Sequence, residues 1–260
     1  MKALILAAGY GTRLYPLTEK TAKPLLPLVG RPIINRLLDQ LNTIAELDHI
    51  YVVTNEKFAA DFERWAADLQ NAKPITVVND GTTSDDDKLG AIGDMHFVIE
   101  KYGINEPLLI VGGDNAFTFD LAEFVRFFHE HGSSVGLYKL DDLQAITRYN
   151  ETVLDERGRI TSFHEKPPDP KSNLFAICLY LYTAEDVQRV AEYLDNGNNP
   201  DAPGHYVAWL YKRSELYGVA LPGTWYDIGD LDAYKEAEQF FSERPGSGPP
   251  QQPTTHTQNS

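Results

Sequence analysis

The chain has 260 residues, 42% of them hydrophobic, which suits one large domain with a sizeable core and excludes a disordered or fibrous chain. Lys and Arg total 23 against 38 Asp and Glu, giving a formal net charge of −15 that disfavours general nucleic-acid binding. The single cysteine, Cys178, excludes an intramolecular disulfide and a cysteine-based zinc site. No apolar run approaches the ~18 residues of a membrane span, and the apolar start is short for a signal peptide, so we expect a cytoplasmic protein without membrane association.

The first 135 residues alternate between short apolar runs and amphipathic stretches. Apolar residues recur at three- and four-residue spacing over 33–44, 58–69 and 121–128, which predicts helices. Strands are predicted over Lys2 to Ala7, His49 to Thr54, Ile75 to Asn79, Leu108 to Gly112 and Ser134 to Leu140. Because strands that alternate with helices pair in parallel through crossovers, this half predicts an open doubly wound, mostly parallel α/β sheet.

The remainder of the chain is smaller and richer in strands. A hairpin is predicted from Glu151 to Phe163, a long strand from Leu174 to Thr183 and a helix from Ala184 to Leu194. The Asn-, Pro- and Gly-rich stretch from Asn196 to Gly204 predicts a loop. Two further strands (216–221 and 225–228) and a helix (231–241) follow, and residues 242–260 lack Val, Leu, Ile and Phe, which predicts a disordered tail.

A glycine-rich segment, LILAAGYGTRL at residues 4–14, follows the first predicted strand. Small residues let a backbone approach a ligand closely, and loop N–H groups can cradle phosphate oxygens. Arg13 adds a planar cation that suits the same oxygens. The segment lacks the Gly-Lys-Ser/Thr of a P-loop and the third glycine of the dinucleotide fingerprint, and by itself it is equally consistent with a plain tight turn.

The continuation, YPLTEKTAKPLLPLVGRPI at residues 15–33, makes the opening specific. Together the two segments resemble the signature of the sugar-1-phosphate nucleotidyltransferases (NDP-sugar pyrophosphorylases), most of all their glucose-1-phosphate thymidylyltransferase-like branch. The resemblance spans residues 1–241 and implies a single domain with a Rossmann-like fold. Its nucleotide-binding half covers about residues 1–135, and a smaller, strand-rich sugar-phosphate-binding half covers 136–241.

Two aspartates are candidate metal ligands. Asp114 follows the buried apolar run 108–112, and ligands of open α/β sheets bind at the carboxyl ends of strands. Helix capping is the alternative role, but Asp120 stands directly before the next amphipathic run and suits it better. The resemblance implies that Asp114 and Asp227, the latter in GTWYDIG at 223–229, hold Mg²⁺, which binds through a few carboxylates plus substrate phosphates.

The resemblance assigns the other candidate site residues as well. Glu165 and Lys166, in HEKP at 164–167, match a motif whose glutamate binds sugar hydroxyls and whose lysine holds the sugar phosphate. Arg13 and Lys23 match residues that contact the triphosphate, and with Asp114 they are the expected catalytic residues. The expected nucleotide-binding residues are Leu6, Ala7, Ala8, Gly9, Gly11, Thr12, Arg13 and Lys23. The polar loop 79–88, with the acidic run 85–87, lies where the family places nucleobase contacts.

Three positions depart from the family pattern near the expected sugar site. Asn150 replaces a glycine, and Asn tolerates positive φ better than most residues. Residues 176–178 replace a Thr-Gly pair with Ala-Ile-Cys, and Cys178 is most simply a buried small residue. The segment PGHYVAWL at 203–210 differs from the better-known thymidylyltransferases. These differences affect the identity of the sugar more than the reaction.

The expected function is Mg²⁺-dependent transfer of a nucleotidyl group from an NTP to a sugar 1-phosphate, releasing pyrophosphate. The resemblance favours dTTP or UTP and glucose 1-phosphate. Cytidylyl transfer to another phosphorylated sugar or polyol stays open, as does a catalytically silent NDP-sugar-binding regulatory subunit. A homo-oligomer also stays open, since such assemblies are common among enzymes of this class.

Overall fold

The computed structural model describes residues 1–244. The strands are β1 Lys2–Leu6, β2 Pro27–Leu28, β3 Arg31–Pro32, β4 His49–Thr54, β5 Ile75–Asn79, β6 Leu108–Gly112, β7 Asn115–Phe117, β8 Ser134–Lys139, β9 Asn150–Leu154, β10 Ile160–Glu165, β11 Leu174–Tyr182, β12 Tyr217–Ala220 and β13 Trp225–Asp227. The α-helices are α1 Ile33–Thr43, α2 Ala59–Asp68, α3 Ala91–Tyr102, α4 Leu121–His131, α5 Ala184–Asp195, α6 Pro203–Leu210 and α7 Leu231–Ser242. Short 3₁₀ turns cover Thr12–Leu14, Lys23–Leu25 and Leu143–Arg148.

A seven-stranded sheet in the order β12-β8-β11-β6-β1-β4-β5 forms the centre of the molecule. β1 pairs in parallel with β4 and β6, β4 pairs in parallel with β5, and β12 pairs in parallel with β8. β11 is antiparallel to both of its neighbours, β6 and β8. The predicted mostly parallel α/β sheet is therefore confirmed, with one antiparallel strand inserted into it.

Both faces of this sheet are covered by helices because its strands are apolar on both sides. Ala3 and Ile5 of β1 point to a core shared with α1, α2 and α4, whereas Leu4 points to the opposite core with α3, α5 and α6. A smaller core joins α7 to the β2 and β7 region. The three layers leave the carboxyl ends of β1 and β6 side by side, and this edge is where the candidate site lies.

Most predicted strands and helices agree with the structure to within a few residues. The hairpin is confirmed as antiparallel β9 and β10, and Asp120 caps α4 by accepting from the Ala122 N–H at 2.8 Å, as predicted. β1 ends at Leu6 and β8 at Lys139, one residue earlier than predicted. The predicted tail begins inside α7, whose last residue is Ser242, and from residue 245 onward it lies outside the described residues.

The prediction of a loop from Asn196 to Gly204 was wrong at its end, because α6 already includes Pro203 and Gly204. Proline is favoured at the first position of a helix, where its missing N–H is not needed. Gly204 lies where a Cβ would come within 1.9 Å of Glu165 Oε1, so the helix begins against that side chain. α3 had not been predicted, although Ile92, Met95, Val98 and Ile99 form its buried face.

Candidate active site

The glycine-rich segment forms an open loop at the carboxyl end of β1. Gly11 adopts a left-handed conformation, with φ of 64°, and its carbonyl accepts from the Thr18 hydroxyl at 2.6 Å. Within residues 1–244 no protein group accepts from the backbone N–H groups of residues 8–11. Successive unengaged N–H groups in a loop favour an anion such as a phosphate.

This loop borders a cleft of about 300 Å³, called the first cleft. Its lining includes all but one of the predicted nucleotide-binding residues: Leu6, Ala7, Gly9, Gly11, Thr12, Arg13 and Lys23. The exception is Ala8, whose carbonyl accepts from Asn55 Nδ2 at 2.7 Å. Pro24, Asp85, Lys88, Asp114 and Gly229 complete the lining. Two cations from the opening motif therefore lie in one cleft with unengaged backbone N–H groups.

Lys23 and Asp114, which are 91 residues apart in the chain, form an ion pair. Lys23 Nζ lies 2.5 Å from Asp114 Oδ2, and both side chains are more than two thirds buried. The sequence motifs assign the lysine to phosphate and the aspartate to metal but do not place them in contact. A lysine at this position neutralises the aspartate and holds one of its oxygens at the edge of the cleft.

Asp227 is brought to Asp114 by pairing between β13 and β7, in which Asp227 faces Asn115. The Ile228 N–H donates to the Asp114 carbonyl at 3.2 Å. Burial raises the pKa of Asp227 to about 6, the charge of Asp114 adds to the rise, and Lys23 and Arg13 oppose it. Two carboxylates whose mutual repulsion is relieved by a cation are suitable ligands for Mg²⁺.

The donor set fits Mg²⁺ better than a metal held by protein ligands alone. Within residues 1–244 no group of three or more His, Cys, Asp or Glu side chains is placed to hold one ion. Mg²⁺ needs only one or two carboxylates when substrate phosphates and waters complete its coordination. Asp114 and Asp227 beside a phosphate-suited cleft meet that requirement.

A second cleft, of about 290 Å³, adjoins the first one. Leu6 and Asp114 border both clefts, so Asp114 lies at their junction. The wall of the second cleft is mostly apolar and aromatic, with the polar side chains of Asn115 and Asp227 within it. Besides Leu6 and Asp114, its residues are Ala91, Gly112, Asn115, Tyr149, Phe175, Ala176, Ile177, Cys178, Pro203, Trp225 and Asp227. Two ligand parts that occupied the two clefts would therefore meet beside Asp114.

Cys178 belongs to this wall and is half-buried. Burial raises the pKa of its thiol, and the carboxylates of Asp114 and Asp227 raise it further. The thiol therefore stays protonated at neutral pH and is no nucleophile. The interpretation of Cys178 as a buried small residue holds only in part, because the side chain is half-buried and borders the cleft.

Asn115 and Trp225 are site residues that sequence reasoning missed. Trp225 Nε1 donates to Asn115 Oδ1 at 2.5 Å, and Asn115 Nδ2 donates to Asp114 Oδ1 at 3.1 Å. Their positions in the sequence offered only a weak signal, since one follows Asp114 directly and the other precedes Asp227 by two residues. The pairing of β7 with β13 is what brings them together.

Glu165 and Lys166 lie apart from the lining of the two clefts. Glu165 borders a separate open pocket of about 500 Å³ with Glu151, His164 and Lys171, and burial of its carboxyl beside Gly204 of α6 raises its pKa. Lys166 has a φ of 44°, unusual for a residue other than glycine, and its N–H donates to the Tyr149 carbonyl at 2.7 Å. Strained backbone of this kind clusters at functional sites, and here it ties Lys166 to the wall of the second cleft.

Asn150 does not adopt the positive φ that asparagine tolerates, because its backbone is part of β9. Its side chain instead donates to the Ala176 carbonyl at 2.9 Å and accepts from the Ala176 N–H at 2.7 Å. The register of β11 against β8 shifts between Ala176 and Tyr180, so the amide satisfies backbone groups beside an irregular stretch. Asn150 thus shapes the second cleft through Ala176.

The loop 79–88 reaches the first cleft through Asp85 and Lys88. Lys88 Nζ lies 3.5 Å from Asp85 and 3.2 Å from Asp201, which links the loop to the segment before α6. Asp87 accepts from the N–H groups of Thr83 and Ser84, and these bonds lower its pKa to about 2. The acidic run is therefore an ordered turn at the cleft edge, and the nucleobase contacts expected of this loop stay a prediction.

Comparison with known proteins settles the family. The model of the family described as Nucleotidyl transferase matches residues 2–244. The chain belongs to the nucleotidyl transferase family. The UTP--glucose-1-phosphate uridylyltransferase of Synechocystis sp. is 28% identical over 91% of the chain and 62% of that protein. The mannose-1-phosphate guanylyltransferase catalytic subunit beta of Drosophila pseudoobscura pseudoobscura is 28% identical over 88% of the chain and 59% of that protein.

A solved structure shares both the fold and the length. A Bacillus anthracis protein, described as a candidate glucose-1-phosphate thymidylyltransferase in complex with sucrose, superposes with a TM-score of 0.78. The two sequences are 26% identical, and the superposition covers 92% of this chain and 94% of the Bacillus anthracis chain. By contrast, the chain spans between 51% and 62% of the first curated relatives. None of the helices in residues 1–244 has the length and apolar character needed to cross a bilayer.

Proposed function

We propose that the protein transfers a nucleotidyl group from an NTP to a sugar 1-phosphate, giving an NDP-sugar and pyrophosphate. The Lys23–Asp114 ion pair at the junction of two adjoining clefts is the observation that carries this proposal. A two-substrate transfer needs the reacting groups side by side, and the junction offers that place. Asp227 completes the pair of carboxylates expected for a magnesium enzyme.

In this proposal the first cleft holds the triphosphate. The N–H groups of residues 8–11 bind its oxygens, and Arg13 and Lys23 neutralise its charge. Gly229 lies between the two charged groups, since a Cβ there would be in ordinary contact with Arg13 Nη2 at 3.5 Å and with Asp227 Oδ2 at 3.6 Å. Despite the −15 net charge of the chain, the lining of this cleft holds three cations (Arg13, Lys23 and Lys88) against two carboxylates (Asp85 and Asp114), and the loop N–H groups add to the cations.

The second cleft takes the acceptor, whose phosphate oxygen attacks the α-phosphorus as pyrophosphate leaves. Because that oxygen is already anionic at neutral pH, no side chain has to remove a proton. Lys166, whose backbone is hydrogen-bonded to Tyr149 of the second cleft, steadies the acceptor phosphate, and Glu165 accepts from sugar hydroxyls. Mg²⁺, when bound at Asp114 and Asp227, supplies further charge neutralisation. The residues accelerate the reaction by orientation and by preorganised charge.

For the substrates we propose dTTP or UTP and glucose 1-phosphate. The support is the names of relatives: a uridylyltransferase acting on glucose 1-phosphate and a structure described for thymidylyl transfer to the same sugar phosphate. A guanylyltransferase acting on mannose 1-phosphate is equally similar in sequence, so GTP and mannose 1-phosphate belong in the same test.

The test is pyrophosphate release over a grid of NTPs and sugar 1-phosphates, with Mg²⁺ and with EDTA. We expect release in one or two combinations, abolished by EDTA. Silence in every combination, with NDP-sugar still bound in calorimetry, would replace the proposal with a regulatory subunit. Release by a CTP combination alone would keep the reaction and change the substrates.

Asp114→Ala is the matching variant, and it should abolish metal-dependent release while leaving the folded structure intact by circular dichroism, with a lower melting temperature because Lys23 loses its partner. Asp68→Ala serves as the control, since Asp68 is an exposed aspartate at the end of α2, away from both clefts. Normal turnover by Asp114→Ala would refute the assignment of this carboxylate to the reaction.

A further inference from the structure

Asn115 is a buried polar residue beside the proposed reaction centre, 4% exposed, at the first position of β7. Its amide nitrogen donates to the Gly112 carbonyl at 3.2 Å and to Asp114 Oδ1 at 3.1 Å. A side-chain amide has two N–H donors, and both are engaged here. Asn115 therefore has no donor left for a ligand, although it borders the second cleft.

The Asp114 carboxylate is consequently held from two sides. Oδ1 accepts from Asn115, and Oδ2 pairs with Lys23 at the edge of the first cleft. Gly112 makes this arrangement possible, because a Cβ at that position would lie 2.3 Å from Asn115 Nδ2 and 2.9 Å from Asp114 Oδ1. One oxygen is thus held by Asn115 and the other by Lys23, and both Lys23 and Asp114 border the first cleft.

Trp225 extends the arrangement into the second cleft. Its indole N–H donates to Asn115 Oδ1 at 2.5 Å, and its ring packs edge-on against Phe175 at 5.3 Å and Tyr149 at 6.3 Å. A chain of donors therefore runs from the wall of the second cleft to the carboxylate at the junction. Asn115 is the link between the two.

We infer that Asn115 is a positioning residue that orients the Asp114 carboxylate and couples it to the Trp225 wall of the second cleft. The inference rests on the proposed function for its kinetic consequence, but the orientation of Asp114 can also be measured without turnover. Groups that orient a metal-binding carboxylate typically change metal affinity or activity by about 10- to 100-fold when removed. In the proposed function the acceptor lies in the cleft that Trp225 lines, whereas Asn115 acts only through Asp114.

The experiment compares Asn115→Ala and Trp225→Phe with the wild type. Trp225→Phe removes the N–H that donates to Asn115 but keeps an aromatic ring in the wall of the second cleft. It therefore tests the same chain of hydrogen bonds even if Asn115→Ala folds poorly. Asn35→Ala is the matched control, because Asn35 Oδ1 accepts from Trp65 Nε1 at 2.8 Å in the same kind of pair, between α1 and α2. Each variant is measured for kcat, for KM of both substrates and, without substrate, for Mn²⁺ affinity by electron paramagnetic resonance.

We expect Asn115→Ala to lower kcat at least ~10-fold with both KM values nearly unchanged, and to weaken Mn²⁺ binding ~10-fold. Trp225→Phe should shift kcat and Mn²⁺ affinity in the same direction by less. In an Asp114→Asn background, Asn115→Ala should change Mn²⁺ affinity no further. Asn35→Ala should leave every value as in the wild type.

Different outcomes separate this inference from the proposed function. A wild type that binds Mn²⁺ through Asp114 but transfers no nucleotide refutes the function, and a weakened Mn²⁺ affinity of Asn115→Ala then still supports the inference. An active wild type together with an Asn115→Ala variant of unchanged kcat and Mn²⁺ affinity overturns the inference alone. A raised acceptor KM at unchanged kcat would show that Asn115 contacts the acceptor directly, which also overturns it. A wild type without Mn²⁺ binding and without turnover overturns both.

Discussion

Charges at the junction of the two clefts are balanced residue by residue. Asp114 pairs with Lys23, and Asp227, whose pKa burial raises to about 6, is partly compensated by Lys23 and Arg13. Losing one of these cations leaves a buried carboxylate without its partner, which is costly in a site of low dielectric. The two lysines assigned to phosphates therefore differ in kind, because Lys23 has a structural partner whereas the side chain of Lys166 is exposed.

Lys23→Ala and Lys166→Ala should consequently affect different kinetic parameters. We expect Lys23→Ala to cost ~3–4 kcal/mol of transition-state stabilisation, measured as kcat/KM for the NTP. Lys166→Ala should chiefly raise KM for the sugar phosphate. Lys235→Ala on α7, whose cation pairs only weakly with the exposed Asp232, provides the control. A Lys166→Ala enzyme in which only the NTP KM rose would mean that the two phosphate positions are exchanged.

The loop 79–88 and the start of α3 are joined by two carboxyl groups. Asp94, in the first turn of α3, is 6% exposed, and its Oδ1 has no hydrogen-bond partner within residues 1–244. Burial raises the pKa of Asp94 to about 8, and the neighbouring Asp80 adds to the rise. Asp80 in turn accepts from the N–H and the hydroxyl of Thr82, so its carboxylate organises the loop. At neutral pH the Asp94 carboxyl is therefore mostly protonated, which lets it lie beside Asp80 in the buried start of α3.

Asp94→Asn should therefore flatten the dependence of stability on pH. Because the pKa of Asp94 is higher in the folded chain than in the unfolded chain, the folded state binds more protons between about pH 4 and 8. This carboxyl thus costs stability progressively as the pH rises through that window. The amide of the variant is neutral at every pH and keeps a donor for Asp80. At pH 8 we therefore expect the variant to gain ~2 kcal/mol in free energy of unfolding, which corresponds to a melting temperature at least ~4 °C above that of the wild type.

Near pH 4 the two melting temperatures should converge, since Asp94 is neutral in the folded chain and about half protonated in the unfolded chain, where its ordinary pKa is 3.8. Thermal unfolding followed by circular dichroism from pH 4 to 9 measures the difference directly. Parallel curves for wild type and variant would show that Asp94 is ionised in the folded protein. A melting temperature of the variant below that of the wild type at pH 8 would show that the loop needs the carboxylate.

On the scale of the whole molecule, the central sheet is assembled from both ends of the chain. The division near residue 135 places the triphosphate loop in one half and the sugar-phosphate residues in the other, and it stays a functional proposal. Structurally, β11 from the second half lies between β6 and β8, where Leu179 pairs with Val111 and packs fully buried. The halves therefore share one sheet and two cores.

Residues 1–135 expressed alone should accordingly fail to fold cooperatively. Without β11 the strand β6 loses its neighbour, and the apolar residues Leu109 and Val111 lose part of their cover. A fragment of residues 1–244 should show a single transition in calorimetry, with equal calorimetric and van't Hoff enthalpies. A sharp transition in the shorter fragment would show that the first half is an independent domain.

Local signals in the sequence were sufficient to predict the strands β1, β4, β5 and β6 of the central sheet, the glycine-rich loop, and the position of Asp114 after the end of a strand. Hydrophobic periodicity and turn chemistry operate over a few residues, so β4, β5 and β6 were predicted with the bounds that the structure shows. The opening motif likewise brought together residues that line one cleft, because they are neighbours in a single loop.

Contacts between distant segments were decided only by tertiary structure. Lys23 contacts Asp114, which lies 91 residues away in the chain. Trp225 contacts Asn115 over a separation of 110 residues, because β7 pairs with β13. The antiparallel insertion of β11 is equally invisible to periodicity, since an apolar strand fits beside either neighbour in either direction. Which carboxylate faces which cation depends on strand pairing and packing across the whole chain, and no short pattern encodes that choice.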